Sequence, residues 1–365
     1  MLEKELLAVL RLQATPKIGD ITAKKLIRHF GTASQIFKEK KSTLQKLDGV
    51  GDLIIKELLN PLYLKHAEKE LEYIFKNNVQ YSYFLDVNYP KKLQHCIDAP
   101  ILIFYDGKLD WNTEKIISIV GTRNMTNYGR DFCTQFISEI AEHDPLIISG
   151  FAYGVDICAH KAAIENNLQT IGVFANGLDQ LYPKRHKKHV ADVLNNGGLI
   201  SEFWHNEKPM RENFLKRNRI VAGMSKATII VESAEKGGAL VTADIANSYH
   251  RDVFALPGKV TDYYSKGCNN LIKNNQAHLL TSAHDVIKML NWDIEEKKTV
   301  KQTALFIDLD EKEQKIYDYL LANGQQLLDV IAIDCDLPVY QLSSILIQME
   351  LKGVVKPKPG KMFEV

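Results

Sequence analysis

The sequence predicts an α/β protein: a parallel β-sheet core, a small helical module ahead of it, and a winged-helix-like module behind it. Three observations carry this prediction. Short β-branched runs alternate with helical patterns from about residue 77 to 295. Before residue 77 the apolar residues recur only at helical spacing. After residue 310 the pattern is three helices and a short hairpin. At 365 residues with 45% apolar content, the chain is long enough for two or three domains with cores of their own.

Residues 1–76 read as a helix-hairpin-helix (SAM-like) domain. Helical spacing shows in Leu2-Leu6-Leu7-Leu10 and in Ala23-Leu26-Ile27-Phe30. One motif occurs twice, as Pro16-Lys-Ile-Gly-Asp-Ile-Thr-Ala-Lys-Lys-Leu26 and as Leu47-Asp-Gly-Val-Gly-Asp-Leu-Ile-Ile-Lys-Glu-Leu58. The glycines allow a tight turn that can approach a phosphate, with free N–H groups at the start of the next helix. The first copy has Lys17 where the first glycine belongs. A packing module without a ligand fits the same pattern.

Residues 77–295 read as the sheet domain. Its expected strands are Ile116–Val120, Leu146–Ser149, Thr170–Phe174, Leu199–Phe203, Thr228–Val231 and Val253–Leu256, with Tyr81–Leu85 and Ile101–Tyr105 as edge strands or an extension. Helices are expected over Gly129–Glu142 and Val155–Asn166, among others. Near-continuous Ile/Val runs suit strands covered on both faces, hence parallel pairing with right-handed crossovers. Residues 296–310 are charged, lack periodicity and read as a linker. Residues 311–365 read as helices over Glu311–Leu321, Leu327–Ile333 and Val339–Lys352, then a hairpin. The third helix of such a layout would read DNA, but Gln341–Glu350 carries no Arg or Lys, so packing or protein contact is the expectation there.

Several function classes are excluded or left without support. No run of eighteen apolar residues occurs, so no membrane partner is expected. The N-terminus has no basic start, apolar stretch or cleavage site, so no secretory signal is expected. Five dispersed cysteines without Cys-x-x-Cys read as reduced thiols in a cytoplasmic protein, and a zinc site is not expected. With 46 basic and 45 acidic residues the formal charge is +1, so any case for nucleic acid rests on local clustering.

The chemistry-bearing residues fall in loops after the strands, where open α/β sheets bind ligands. Gly121, Thr122 and Arg123 offer close backbone approach, a hydroxyl and a guanidinium fork suited to phosphate; an arginine paired within its own loop is the competing assignment. Ser149, Gly150 and Gly154 give a second small-residue loop, ending in Asp156, which suits a helix cap as well as a ligand, and in His160, read as a packed histidine. Lys184, Arg185, Lys187 and Lys188 follow Tyr182, the mixture of cations and rings used for single strands. Phe214, Lys216, Arg217, Asn218 and Arg219 repeat that theme, and Gly237, Gly238 and Thr242 open another helix. Neither Gly-x-Gly-x-x-Gly nor a Walker pattern is present, and no Ser-His-Asp set or paired carboxylates stand out. Glu202 and Glu232 at strand ends keep a second reading open, a nucleotide or nucleoside-monophosphate hydrolase. A nucleotide sensor on the same scaffold is a third.

Ile119-Val-Gly-Thr-Arg, Ser149-Gly-x-Ala-x-Gly-x-Asp-x-x-Ala-His, Gly177-Leu-Asp-x-x-Tyr-Pro, Ser201-Glu, Arg217-Asn-Arg-Ile-Val-Ala-Gly, Gly238-Ala-Leu-x-Thr-Ala and Pro257-Gly with Gly267-Cys-Asn-x-Leu-Ile together resemble the DNA-processing protein A (DprA/Smf) family. The resemblance spans about 115–290. It implies an extended Rossmann fold that binds and protects single-stranded DNA, loads the RecA recombinase in natural transformation, and forms a homodimer. It implies no catalysis, metal or cofactor. Under it, Arg123 resembles the family's phosphate-contacting arginine. Ser149, Gly150 and Gly154 fall in its phosphate pocket, Lys184 and its neighbours among its basic contacts, and Arg217 and Arg219 in its Arg-Asn-Arg motif. Two positions depart from the family pattern: His186 stands where asparagine is usual, and Glu232-Ser replaces glutamate-alanine.

Overall fold

A computed structural model describes residues 1–47, 49–293, 309–358 and 361–364. It divides into two compact units, Met1–Asp293 and Ile294–Val365. Asp48 of the second hairpin motif and all but the last two residues of the expected linker lie outside the described residues.

The first unit is built on a nine-stranded sheet: β1 Gln80–Tyr83, β2 Leu102–Gly107, β3 Ile116–Val120, β4 Leu146–Ser149, β5 Thr170–Val173, β6 Gly197–Ser201, β7 Ala227–Ile230, β8 Asp252–Ala255 and β9 His278–Leu279. Their order across the sheet is β1-β2-β6-β5-β4-β3-β7-β8-β9. β3 to β9 pair in parallel, while β1–β2 and β2–β6 pair antiparallel, so the two early strands extend the sheet beyond β6. β9 has no counterpart among the expected strands; its two residues are too short to show a period.

Alternation along β3, β4, β7 and β8 feeds two separate cores, as a pleat of period two requires. Ile117, Ile119, Ile147, Ile229 and Phe254 face one layer, formed by the helices Asn127–Ile140, Val155–Glu165 and Ala283–Met289. Ile116, Val120, Ile148, Ile230 and Ala255 face the other, formed by Arg211–Met224, Gly238–Ser248 and the N-terminal helices. Burial on both faces explains why these strands read as unbroken apolar runs.

The N-terminal helices share the second core with the sheet. Polar ties reinforce it. The Ile101 N–H donates to Asp20 Oδ1 at 2.9 Å, and Lys24 Nζ donates to the carbonyls of Cys96 and Ile97, both at 3.3 Å. Burial lowers that amine to about 8. The repeated hairpin motif is real in backbone terms. Lys17 (φ 67°) and Gly49 (φ 84°) both take the left-handed conformation two residues before Gly19 and Gly51. Those glycines have nearly identical extended torsions, and a helix follows each, Asp20–Phe30 and Asp52–Leu58. Lys17 therefore does the glycine's task at a strain cost of about 1 kcal/mol.

The second unit packs helices Glu311–Asn323, Leu328–Asp334 and Val339–Leu351 around Ile316, Leu320, Ile331, Leu342, Leu346 and Met349. A small sheet, β10 Gln326–Leu327, β11 Lys356–Lys358 and β12 Met362–Glu364 in the order β10-β12-β11, completes a winged-helix layout. A reciprocal Asp310/Glu313 capping box starts its first helix. Among the described residues no single helix is long and apolar enough to cross a membrane.

Candidate nucleic-acid interface

Strand order locates the site. From β3 the chain winds outward through β4, β5 and β6, then returns to place β7 on the other side of β3. The loops after β3 and β7 therefore diverge at a topological switch point, where doubly wound sheets open a crevice. A cleft of about 400 Å³ lies there. Gly121, Thr122, Arg123 and Asn124 form one wall, and Ser233, Lys236, Gly237 and Gly238 another. The helix Arg211–Met224 closes it with Phe214, Arg217 and Asn218.

The two diverging loops are stitched at their base. The Thr122 N–H donates to the Glu232 carbonyl at 2.7 Å, and Val155 N–H to the Thr122 carbonyl at 3.2 Å. A Cβ at Gly121 would meet Val155 Cγ2 at 2.5 Å and the Glu232 carbonyl at 3.0 Å, so only glycine lets the loops close. Thr122 Oγ1 accepts from the Asn124 N–H at 3.1 Å, turning the chain so that Arg123 points outward, exposed. Its guanidinium lies over the Phe214 ring, 5.1 Å from the centroid. Phe214 meets Tyr182 edge-on at 5.8 Å. A cation, a ring and a second ring thus stand in line at the mouth, drawn from two loops and a helix far apart in sequence. On the opposite side Gly237 starts the helix Gly238–Ser248 with no side-chain cap, leaving first-turn N–H groups for an anion.

Beneath this rim Arg217 is buried. Its Nη1 donates to the carbonyl of Gly150 at 2.5 Å and to that of Val173. Burial lowers it to about 10, opposed by Asp156. A Cβ at Gly150 would clash with that Nη1, so the glycine seats the arginine. Asp156 in turn accepts from the Ala152 N–H at 3.2 Å, and burial raises it against the pull of Arg217. Arg217 brings a positive charge to the cleft while its donors hold the ends of β4 and β5 together.

Of the residues singled out in the sequence, Gly121, Thr122, Arg123, Gly150, Asp156, Phe214, Arg217, Asn218, Gly237, Gly238 and Thr242 line this cleft. The others have different settings. Ser149 is buried and donates to the Ile119 carbonyl at 2.6 Å. Gly154 turns the chain into its helix beneath Thr122 and Arg123. Lys184 and Lys187 are exposed but outside the cleft lining, whereas Arg185 borders a neighbouring depression together with Arg123. Arg219 is enclosed by carboxylates: Nη2 pairs with Asp20 at 3.1 Å and with Glu202, and Nη1 donates to the Asp98 carbonyl. That network braces the N-terminal helices against β6. Sequence reasoning did not single out Asn124, Lys236, Tyr263 or Tyr264 as lining residues; the adjacent Tyr263-Tyr264 pair after β8 was a usable signal.

The two strand-end carboxylates are committed elsewhere. Burial raises Glu202 to about 7, with Arg219 pulling it down. Glu232 accepts from the Thr126 N–H at 2.9 Å and from its hydroxyl, holding the start of the helix Asn127–Ile140. His160 is a packed histidine, as expected. Nδ1 shares a 2.7 Å bond with the Thr170 hydroxyl, and burial lowers it to about 3, so it is neutral.

The family model for the DNA recombination-mediator protein A matches residues 80–291, and that for the DprA winged helix domain matches 302–361. The DNA processing protein DprA of Streptococcus pneumoniae is 35% identical over 278 residues, 70% of this chain and 97% of that one. Protein Smf of Synechocystis is 28% identical over 95% of both chains. Among solved structures, DprA from S. pneumoniae matches with a TM-score of 0.66 at 30% identity, over 79% of this chain and 98% of that one. DNA processing protein A from Helicobacter pylori, solved for its single-stranded DNA binding mode, matches with a TM-score of 0.53 at 31% identity, over 59% and 97%. With the switch-point cleft, these matches show that the chain belongs to the DprA/Smf family of DNA-processing recombination mediators and carries that family's winged-helix domain.

Proposed function

We propose that this protein binds single-stranded DNA along the rim of its sheet, protects it, and delivers it to the RecA recombinase during natural transformation, as a cytoplasmic homodimer and without catalysis. One observation carries the reading: the line Arg123–Phe214–Tyr182 at the mouth of a glycine-walled cleft. Rings that stack bases beside a guanidinium that holds a phosphate suit a polymer of any sequence. The single-strand binding of the H. pylori relative supports it. The family's description as a recombination mediator supports delivery to a recombinase. Both carboxylates a hydrolase would use hold structural groups instead, which favours binding over turnover.

The test is an affinity titration of single strands against the Arg123→Ala/Lys184→Ala double variant. Binding is expected to weaken strongly and about equally for all sequences, with a log–log salt slope shallower by about 0.7 for each phosphate no longer held. Wild-type affinity in that variant refutes the site. RecA filament assembly on single strands, with and without the protein, tests delivery; sedimentation tests the dimer.

A further inference from the structure

The basic rim does not stop at the cleft. Arg123 and Asn124 also border a shallow depression shared with Arg130, Tyr153 and Arg185. That depression adjoins a larger hollow of about 670 Å³, with which it shares Arg130, Tyr153 and Arg185. Three segments wall the hollow. The helix Asn127–Ile140 supplies Arg130, the helix Val155–Glu165 supplies Cys158 and Lys161, and the turn and helix over 184–195 supply Arg185, Lys188 and His189.

Arg130, Lys161, Arg185 and Lys188 are all exposed, and the ion pairs of the described residues include none of them. Glu165 is the only carboxylate in the lining. Burial first, and then Lys188, His186 and Lys161 against Asp192, hold the His189 imidazole below its ordinary value. The Cys158 thiol is drawn down to about 7, first by its hydrogen bond with Cys133 and then, against burial, by Thr134, Arg130 and Lys161. Tyr153 is an exposed ring among these cations, edge-on to His186 at 4.9 Å. Four cations gathered around a single lining carboxylate leave an excess of positive charge that favours an anion that arrives.

We propose that this hollow is a second segment of the single-strand path. A phosphodiester chain leaving the switch-point cleft passes Arg123 and Arg185, meets Tyr153, and lays its next phosphates on Arg130, Lys161 and Lys188. The proposal rests on the single-strand-binding reading. Continuity decides for a polymer over a free nucleotide, because the depression bordered by Arg123 joins the two sites without a neutral gap.

The experiment compares dye-labelled single strands of about 4 and about 16 nucleotides, by fluorescence anisotropy over a salt series, on the full-length protein and its Lys161→Glu/Lys188→Glu variant. The longer strand is expected to lose roughly tenfold or more in affinity, with a salt slope shallower by about 1.4, two phosphates at about 0.7 each. The shorter strand is expected to bind as before. Protection of Cys158 gives a second readout on the unaltered protein. The other four cysteines are buried, so iodoacetamide labelling followed by mass spectrometry reads this one thiol. The longer strand is expected to slow its alkylation and the shorter strand to leave it unchanged. An unchanged slope for the longer strand, an equal loss for both strands, or alkylation indifferent to the longer strand overturns the proposal. Protection by a mononucleotide at equal phosphate concentration also overturns it, assigning the hollow to a small ligand. Failure of the wild-type protein to bind either strand refutes the single-strand reading itself.

Discussion

Gly154→Ala tests whether the second glycine loop supports the first. Gly154 has φ +75° with ψ −121°, a conformation that an L side chain adopts only under strain. A Cβ there would collide with the Thr122 carbonyl oxygen and lie 2.7 Å from the Arg123 carbonyl carbon and oxygen. Ordinary contacts begin near 3.4 Å, and backbone cannot rotate aside as a side chain does. Left-handed strain costs about 1–2 kcal/mol and forced overpacking about 1–3 kcal/mol, so a loss of about 2–5 kcal/mol is expected. For a unit of this size that is a fall of about 3–8 °C in melting temperature. The atoms that must move belong to Thr122 and Arg123, so single-strand affinity should fall with stability. Gly238→Ala is the matched control. Nothing lies within 4 Å of its Cβ, and its φ is not positive, so stability should hold to within about 0.5 kcal/mol. Calorimetry and anisotropy on both variants decide the matter. A Gly154→Ala protein that melts and binds like wild type refutes the claim that Gly154 sets the Arg123 loop.

Two further outcomes follow from buried charge. Arg219→Ala leaves the Glu202 and Asp20 carboxylates without their cation, and a loss of about 3–5 kcal/mol is expected in urea unfolding; the salt slope of DNA binding should not change, whereas removing a phosphate-contacting arginine would lower it. His160, held neutral with its value lowered from 6.5 to about 3, makes stability acid-labile. Between those limits the unfolded chain binds the extra proton, so stability is present above pH 6.5 and drains as pH falls; the loss from pH 7 to pH 5 is about 2 kcal/mol. His160→Phe should flatten that part of the pH profile, and a profile identical to wild type would show that another group titrates.

The parallel strands were legible because burial on both faces writes itself as Ile/Val runs, as in Ile116–Val120 and Leu146–Ser149. The glycine loops were legible because close approach admits no other residue, as at Gly121 and Gly154. Charge and residue type were poorer guides. Arg217, Asn218 and Arg219 stand side by side in one motif, yet helix geometry sends successive residues about 100° apart. Arg217 thus goes beneath the cleft, Asn218 to its wall, and Arg219 into a carboxylate brace.

By itself, the sequence determined the element order, the strand-end glycines and the absence of an ordinary nucleotide fingerprint, because these depend on local sterics and period. Only the tertiary structure decided which cations share a surface. Arg123, Phe214 and Tyr182 are separated by tens of residues and meet because the strand order folds back at β3 and β7. Arg130, Lys161 and Lys188 gather because three segments pack along one edge of the same rim. Charge is a property of a residue, whereas a field is a property of distances, and distances between remote residues exist only once the chain has folded.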